Sequence, residues 1–159
     1  MKSYETLEHT ADIGLRIRGK SLEKLFLNAA SGLFFLITGA DEIKSEEKLI
    51  QQDFYLEAES LEELFLKWMK ELLFVFSAHH WIPVRFDFHK GVGAALVAAL
   101  PKTGQAQGPP LHLQATGYGV TYDPTRHGQH YEVKAVTYHQ FKFEKKSDGS
   151  FEAEVILDI

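Results

Sequence analysis

SLEKLFLNAASGLFFLI, residues 21–37, carries apolar side chains at Leu22, Leu25, Phe26, Ala29, Ala30, Leu33, Phe34 and Ile37. Steps of three and four place them on one stripe, which predicts an amphipathic helix with that stripe against a core. Ser21 is the expected N-cap, because its hydroxyl can accept an unpaired N–H of the first turn. Gly39 is the expected stop, since glycine takes the left-handed conformation without a steric penalty. SLEELFLKWMKELLFVF, residues 60–76, spells a second helix at a constant offset of 39, Ser21 to Ser60. Its stripe is Leu61, Leu64, Phe65, Trp68, Met69, Leu72, Leu73 and Phe76, and Ser60 with Glu63 has the spacing of a capping box. Two explanations of the likeness stand side by side. Amphipathic helices draw on a small vocabulary, or a strand–helix–strand unit has been duplicated. Two copies separated by strand-like sequence are too few for a helical solenoid.

Outward from the helices, the period shortens to two. Residues 1–20 read as strand, with Tyr4 and Leu7, a polar turn through His9, Thr10 and Asp12, then Ile13, Leu15 and Ile17 in alternation. The segment 47–58 reads as strand with Phe54 and Leu56 on one face, and WIPVRFDFH at 81–89 as extended. Strand patterns return at 111–122 and 130–144, and SDG at 147–149 predicts a hairpin turn into FEAEVILDI. Within EVKAVTYHQFKF, 132–143, Val133, Ala135, Thr137, His139, Phe141 and Phe143 are expected on one face. Residues of about 90–110, with KTGQAQGPP, are expected to form a mobile surface loop. The pattern predicts an α+β fold in a single domain over 1–159: a mixed or antiparallel sheet with two packed helices.

Composition narrows the functions. The net charge of −5 argues against a surface built to neutralise phosphates, so any RNA is expected to be reached through a partner. The absence of cysteine excludes disulfides and Cys-ligated zinc or iron–sulfur sites, and fits a reducing compartment. The start, MKSYETLEHTADIG, has no apolar h-region, and no apolar run is long enough to span a bilayer. A cytoplasmic protein with no membrane contact is the expectation.

The residues offer few chemical constellations. Asp12 has small or polar neighbours and would ordinarily be a turn-former. Asp158 and the α-carboxylate of Ile159 lie one residue apart at the end of a strand. Anionic groups this close repel unless solvated or bridged, and calcium, magnesium or manganese prefer such oxygen donors. If the fold brings Asp12 there, three carboxylates converge on one cation. Lys134 would ordinarily be a solvated strand lysine, and His139 a satisfied sheet histidine. HGQH at 127–130 sits in a loop without cysteine partners and is a poor zinc motif. His79 and His80 fit a helix C-terminus, where imidazole suits the dipole. No motif specifies an enzyme.

HTADIG at 9–14, the two helices, EVKAVTYH at 132–139 and the closing ILDI occur together in an order that resembles the archease family. The resemblance spans nearly the whole chain apart from about 90–110. It implies an α+β fold of duplicated strand–helix–strand–strand modules. It also implies a non-enzymatic accessory protein that activates an RtcB-type RNA ligase, promoting guanylylation of the ligase and multiple turnover in tRNA splicing or RNA repair. By the same resemblance, Asp12, Asp158 and the carboxylate at Ile159 form a site for a divalent metal ion, with calcium expected. Lys134 is expected to face the partner or its nucleotide. Gly119-Val120 replaces a Gly-Glu pair frequent in the family, and residues 90–110 are longer than expected, which puts loop contacts in doubt. The rival functions are a metal-dependent hydrolase using Asp12 and Asp158, and a small-molecule-binding module.

Overall fold

The computed structural model describes residues 3–8, 11–45, 47–90 and 110–159. Both helices form where the stripes predict them. Helix α1 spans Leu22–Thr38 and α2 spans Leu61–His79, capped by Ser21 and Ser60, whose side chains accept from the N–H groups of Lys24 and Glu63. Gly39 ends α1 in the left-handed region (φ 81°), while His80 does the same for α2 (φ 52°). The offset of 39 between the N-caps (Ser21 to Ser60) therefore widens at the C-caps, because α1 has 17 residues and α2 has 19.

Among the described residues seven strands make two antiparallel sheets. Strands β1 (Tyr4–Glu8), β2 (Asp12–Gly19), β6 (Ala135–Lys145) and β7 (Phe151–Asp158) form sheet one in the order β1-β2-β7-β6. Strands β3 (Ile50–Ala58), β4 (Trp81–Lys90) and β5 (Leu111–Thr121) form sheet two in the order β3-β5-β4. The α+β expectation holds, with every described strand pair antiparallel. A single apolar cluster joins the sheets and helices. Its centre is aromatic: Trp68 lies 5.3 Å from Phe54 and 5.2 Å from Phe86, and its indole N–H donates to the Phe26 carbonyl at 2.9 Å. That bond ties α2 to α1 without leaving the indole nitrogen unsatisfied in the core.

Three expectations need correction. Asp12 is the first residue of β2, not part of the turn. Residues 130–134 are not strand. They form a strap across the end of α1, where the N–H groups of His130 and Tyr131 donate to the carbonyls of Ile37 and Leu36 (2.9 and 2.8 Å). The single apolar face over 133–143 is also broken. Val136 pairs with Leu157 and Thr137 with Ile156, but Lys142 then pairs with Glu154, so extra residues bulge between Thr137 and Lys142. The bulge contains Gln140 in the left-handed region (φ 53°). Val136 points into the core before the bulge, whereas Phe141 at its end and Phe143 beyond it pack on Phe65 (6.1 and 5.7 Å). Tyr138, His139 and Gln140 are exposed. A one-turn helix α3 (Pro124–His127), not anticipated, precedes the strap. Apart from its two ends, the loop expected at about 90–110 lies outside the described residues, as do His9 and Thr10.

Candidate functional site

Register brings the acidic residues together. Ile13, Leu15 and Ile17 are buried on β2, as are Ala153, Val155 and Leu157 on β7. A one-residue slip of β2 would turn Arg16 and Arg18 into the core, and one of β7 would turn in Glu152 and Glu154, so the apolar alternation fixes the pairing. In that register Ile13 faces Leu157, and one step further Asp12 faces Asp158. Directly opposed residues of an antiparallel pair share a sheet face, with Cα atoms about 4.5–5.5 Å apart. Both carboxylates therefore project from the same end of the face opposite the core.

On the other side of β7, Ala135 pairs with Asp158, and the Lys134 N–H donates to the Asp158 carbonyl at 2.8 Å. The Lys134 side chain is exposed, Asp12 is half-buried, and Ile159 follows half-buried against the apolar cluster. All four sequence-predicted residues thus meet at one end of sheet one. Among the described residues neither aspartate nor Lys134 takes part in a salt bridge. Like charges directly opposite on a sheet repel, so the pair offers two uncompensated oxygen donors to a hard cation. Among the described residues no group of three or more His, Cys, Asp or Glu side chains is placed to hold a metal ion. The described residues at this end supply two side-chain carboxylates, with Ile159 next in the chain. The donor chemistry fits an oxygen-preferring divalent ion.

Sequence reasoning missed what holds Lys134 there. The Tyr122 hydroxyl donates to the Gly128 carbonyl (2.7 Å), the strap N–H groups cap α1, and the Tyr131 hydroxyl donates to Glu8 (3.3 Å). Burial, with the nearby Glu8 carboxylate, pushes the Tyr131 phenol up. Upstream, Asp123 caps α3 by accepting from the Thr125 hydroxyl and N–H, which hold its carboxyl below the usual range. Nothing in the residue pattern announces these anchors, since each depends on a contact distant in sequence or on a local turn. The HGQH motif is spent on structure. His127 accepts from the Asp123 N–H through Nδ1 (2.9 Å), and the His130 ring lies 4.3 Å from Tyr131. A second polar row lies on sheet two, where the Thr116 hydroxyl donates to Asp53 (3.2 Å) and meets His89 at 2.9 Å.

Comparison with known proteins gives a consistent result. The sequence model of the Archease protein family (MTH1598/TM1083) matches residues 4–159. Protein archease of Pyrococcus furiosus is 35% identical over 159 residues, covering 100% of both chains. Protein archease of a Saccharolobus islandicus strain is 34% identical over 149 residues, covering 94% of each. The solution structure of a Methanobacterium thermoautotrophicum protein superposes with a TM-score of 0.70 at 28% identity, covering 100% of both chains. An archease crystal structure from Thermotoga maritima, described as a possible chaperone, shares the fold with a TM-score of 0.60 at 23% identity, covering 98% of this chain and 96% of that one.

Proposed function

The chain belongs to the archease family, and from that premise we propose that it is an accessory protein activating an RtcB-type RNA ligase. It promotes guanylylation of the ligase and so sustains multiple turnover, in tRNA splicing or RNA repair. The observation that carries this is the sheet end where Asp12 faces Asp158 and the Lys134 N–H is bonded to the Asp158 carbonyl. A sheet end that carries these charges is suited to entering an enzyme's cleft.

Asp12, Asp158 and the carboxylate at Ile159 would hold a divalent cation, with calcium the proposed ion. Such an ion supplies concentrated positive charge to an otherwise anionic tip. Lys134 adds a mobile ammonium that can meet a nucleotide phosphate or an acidic residue of the ligase. A helper of this kind acts by binding the nucleotide-loading conformation of its partner more tightly than the others, which shifts the population toward it. The net charge of −5 makes direct RNA binding unfavourable, so RNA is met through the ligase. The proposed setting is the cytoplasm; among the described residues no helix is long and apolar enough to cross a membrane.

The test is multiple-turnover RNA ligation by a cognate RtcB-type ligase with GTP and manganese, with and without this protein. Stimulation is expected from the wild type and lost in folded Asp12→Ala, Asp158→Ala and Lys134→Ala variants. Extending the chain beyond Ile159 should also weaken it, by removing the terminal carboxylate. Stimulation that survives all three substitutions would discard the tip. No stimulation at all would favour a small-molecule-binding module or, with metal-dependent phosphoester turnover by the protein alone, a hydrolase.

A further inference from the structure

Both long helices end at the wall of one cavity that the acidic tip does not use. Its volume is about 320 Å³, and Ile37 of α1, Phe76 of α2, Tyr122, Tyr131, Glu132 and Val133 line it. Ile37 belongs to the last turn of α1, and the α2 C-cap His80 also reaches the cavity. A helix C-terminus carries the equivalent of about half a negative charge; the strap N–H groups already occupy the Leu36 and Ile37 carbonyls of α1, so the end of α2 is the one that favours a cation here. The exposed Glu132 carboxylate adds a full negative charge.

The walls are aromatic. Phe76 and Tyr122 meet edge to face at 5.2 Å, and both tyrosines are half-buried. Aromatic faces attract organic cations through the ring quadrupole and tolerate their alkyl portions. A strongly hydrated metal ion would find few oxygen donors here, and an anion would meet repulsion from Glu132 and the end of α2.

We propose that this cavity binds an organic cation, an alkylammonium or guanidinium group, with the ring faces around it and Glu132 at its mouth. The site does not depend on ligase activation. Two sources share the chemistry: a lysine or arginine side chain of a partner protein, and a free polyamine.

The test is an NMR titration of the full chain with N-acetyl-arginine amide and, separately, spermidine, using N-acetyl-leucine amide as the neutral control. Both cations should shift the Tyr122 and Tyr131 ring signals saturably, and the control should not. Glu132→Gln should weaken binding about fivefold. Tighter binding of the arginine amide supports a protein side chain as the source, and tighter spermidine binding supports a polyamine. The proposal is overturned if neither cation moves these signals by about 10 mM, or if the neutral control titrates equally. Binding unchanged in folded Glu132→Gln would overturn it too.

Discussion

Asp12 and Asp158 oppose each other on the outer face of sheet one, and their mutual repulsion has a cost that can be measured. Replacing one charge, in Asp158→Asn, should stabilise the metal-free protein by a few tenths of a kcal/mol. Calcium should raise the melting temperature of the wild type but not of the variant, and a thermal-shift series with and without chelator checks both. Tyr4 offers a second handle. Its phenol is pushed from 10.0 up to about 12, first by burial and then by the hydrogen bond it donates to Asp41 (3.1 Å). A raised phenol pKa means that the folded state favours the neutral form. That contribution is whole below the ordinary pKa of 10.0 and fades as pH climbs through about 12. Urea unfolding at pH 9 and 11 should show a loss in the wild type that is smaller in Tyr4→Phe. That the aspartates carry a site was legible through the family motifs, though alternation alone did not show that they would meet. The position of Lys134 was not, because it hangs from a strap held by the α1 carbonyls and Tyr131, contacts with no local signature.

The helices were legible from local pattern: a 3.6-residue stripe bounded by capping residues needs no knowledge of the rest of the fold. The comparison of the two N-termini makes a prediction. At α2, Glu63 reaches back to accept from the Glu59 N–H (3.0 Å) while its own N–H donates to Ser60 (3.1 Å). At α1 the equivalent position is Lys24, whose N–H donates to Ser21 (3.2 Å) but whose side chain has no acceptor to offer. Ser60→Ala should cost about 1 kcal/mol. Lys24→Glu should add a few tenths to the stability by restoring the reciprocal bond and placing an anion in the first turn. Denaturant midpoints at constant slope would check both. Strand β6 resisted sequence reading because alternation presumes an unbroken period of two. The bulge between Thr137 and Lys142 reverses the phase, and its left-handed residue is Gln140, not a glycine that would have flagged it.

On the scale of the whole molecule, two sheets share one apolar cluster, and α2 touches both. The division into two sheets was not visible in the sequence, because strand patterns specify faces and not neighbours. Trp68 and Trp81 are 0% and 1% exposed, so tryptophan emission reports directly on the shared core. Unfolding followed by that emission and by far-ultraviolet circular dichroism should give coincident transitions; separated midpoints would mean that the sheets unfold independently. Along sheet one, paired charges cover the outer face, with Arg16 bonded to Glu154 and Arg18 to Glu152, each at 3.1 Å. The aspartate end stands apart as the place where that compensation stops.

Strand β7 lies inside sheet one, between β2 and β6, although it is the last of the described strands to be translated. While a ribosome is still making the helices and sheet two, the β1–β2 hairpin waits with an open edge where β7 will pair. Pairings so distant in sequence are slow to form, and their unfinished edges invite wrong partners. Nascent chains arrested before residue 151 should therefore be cut readily by protease and held by chaperones. Emergence of residues 151–158 is the event that closes the sheet and sets the two aspartates side by side.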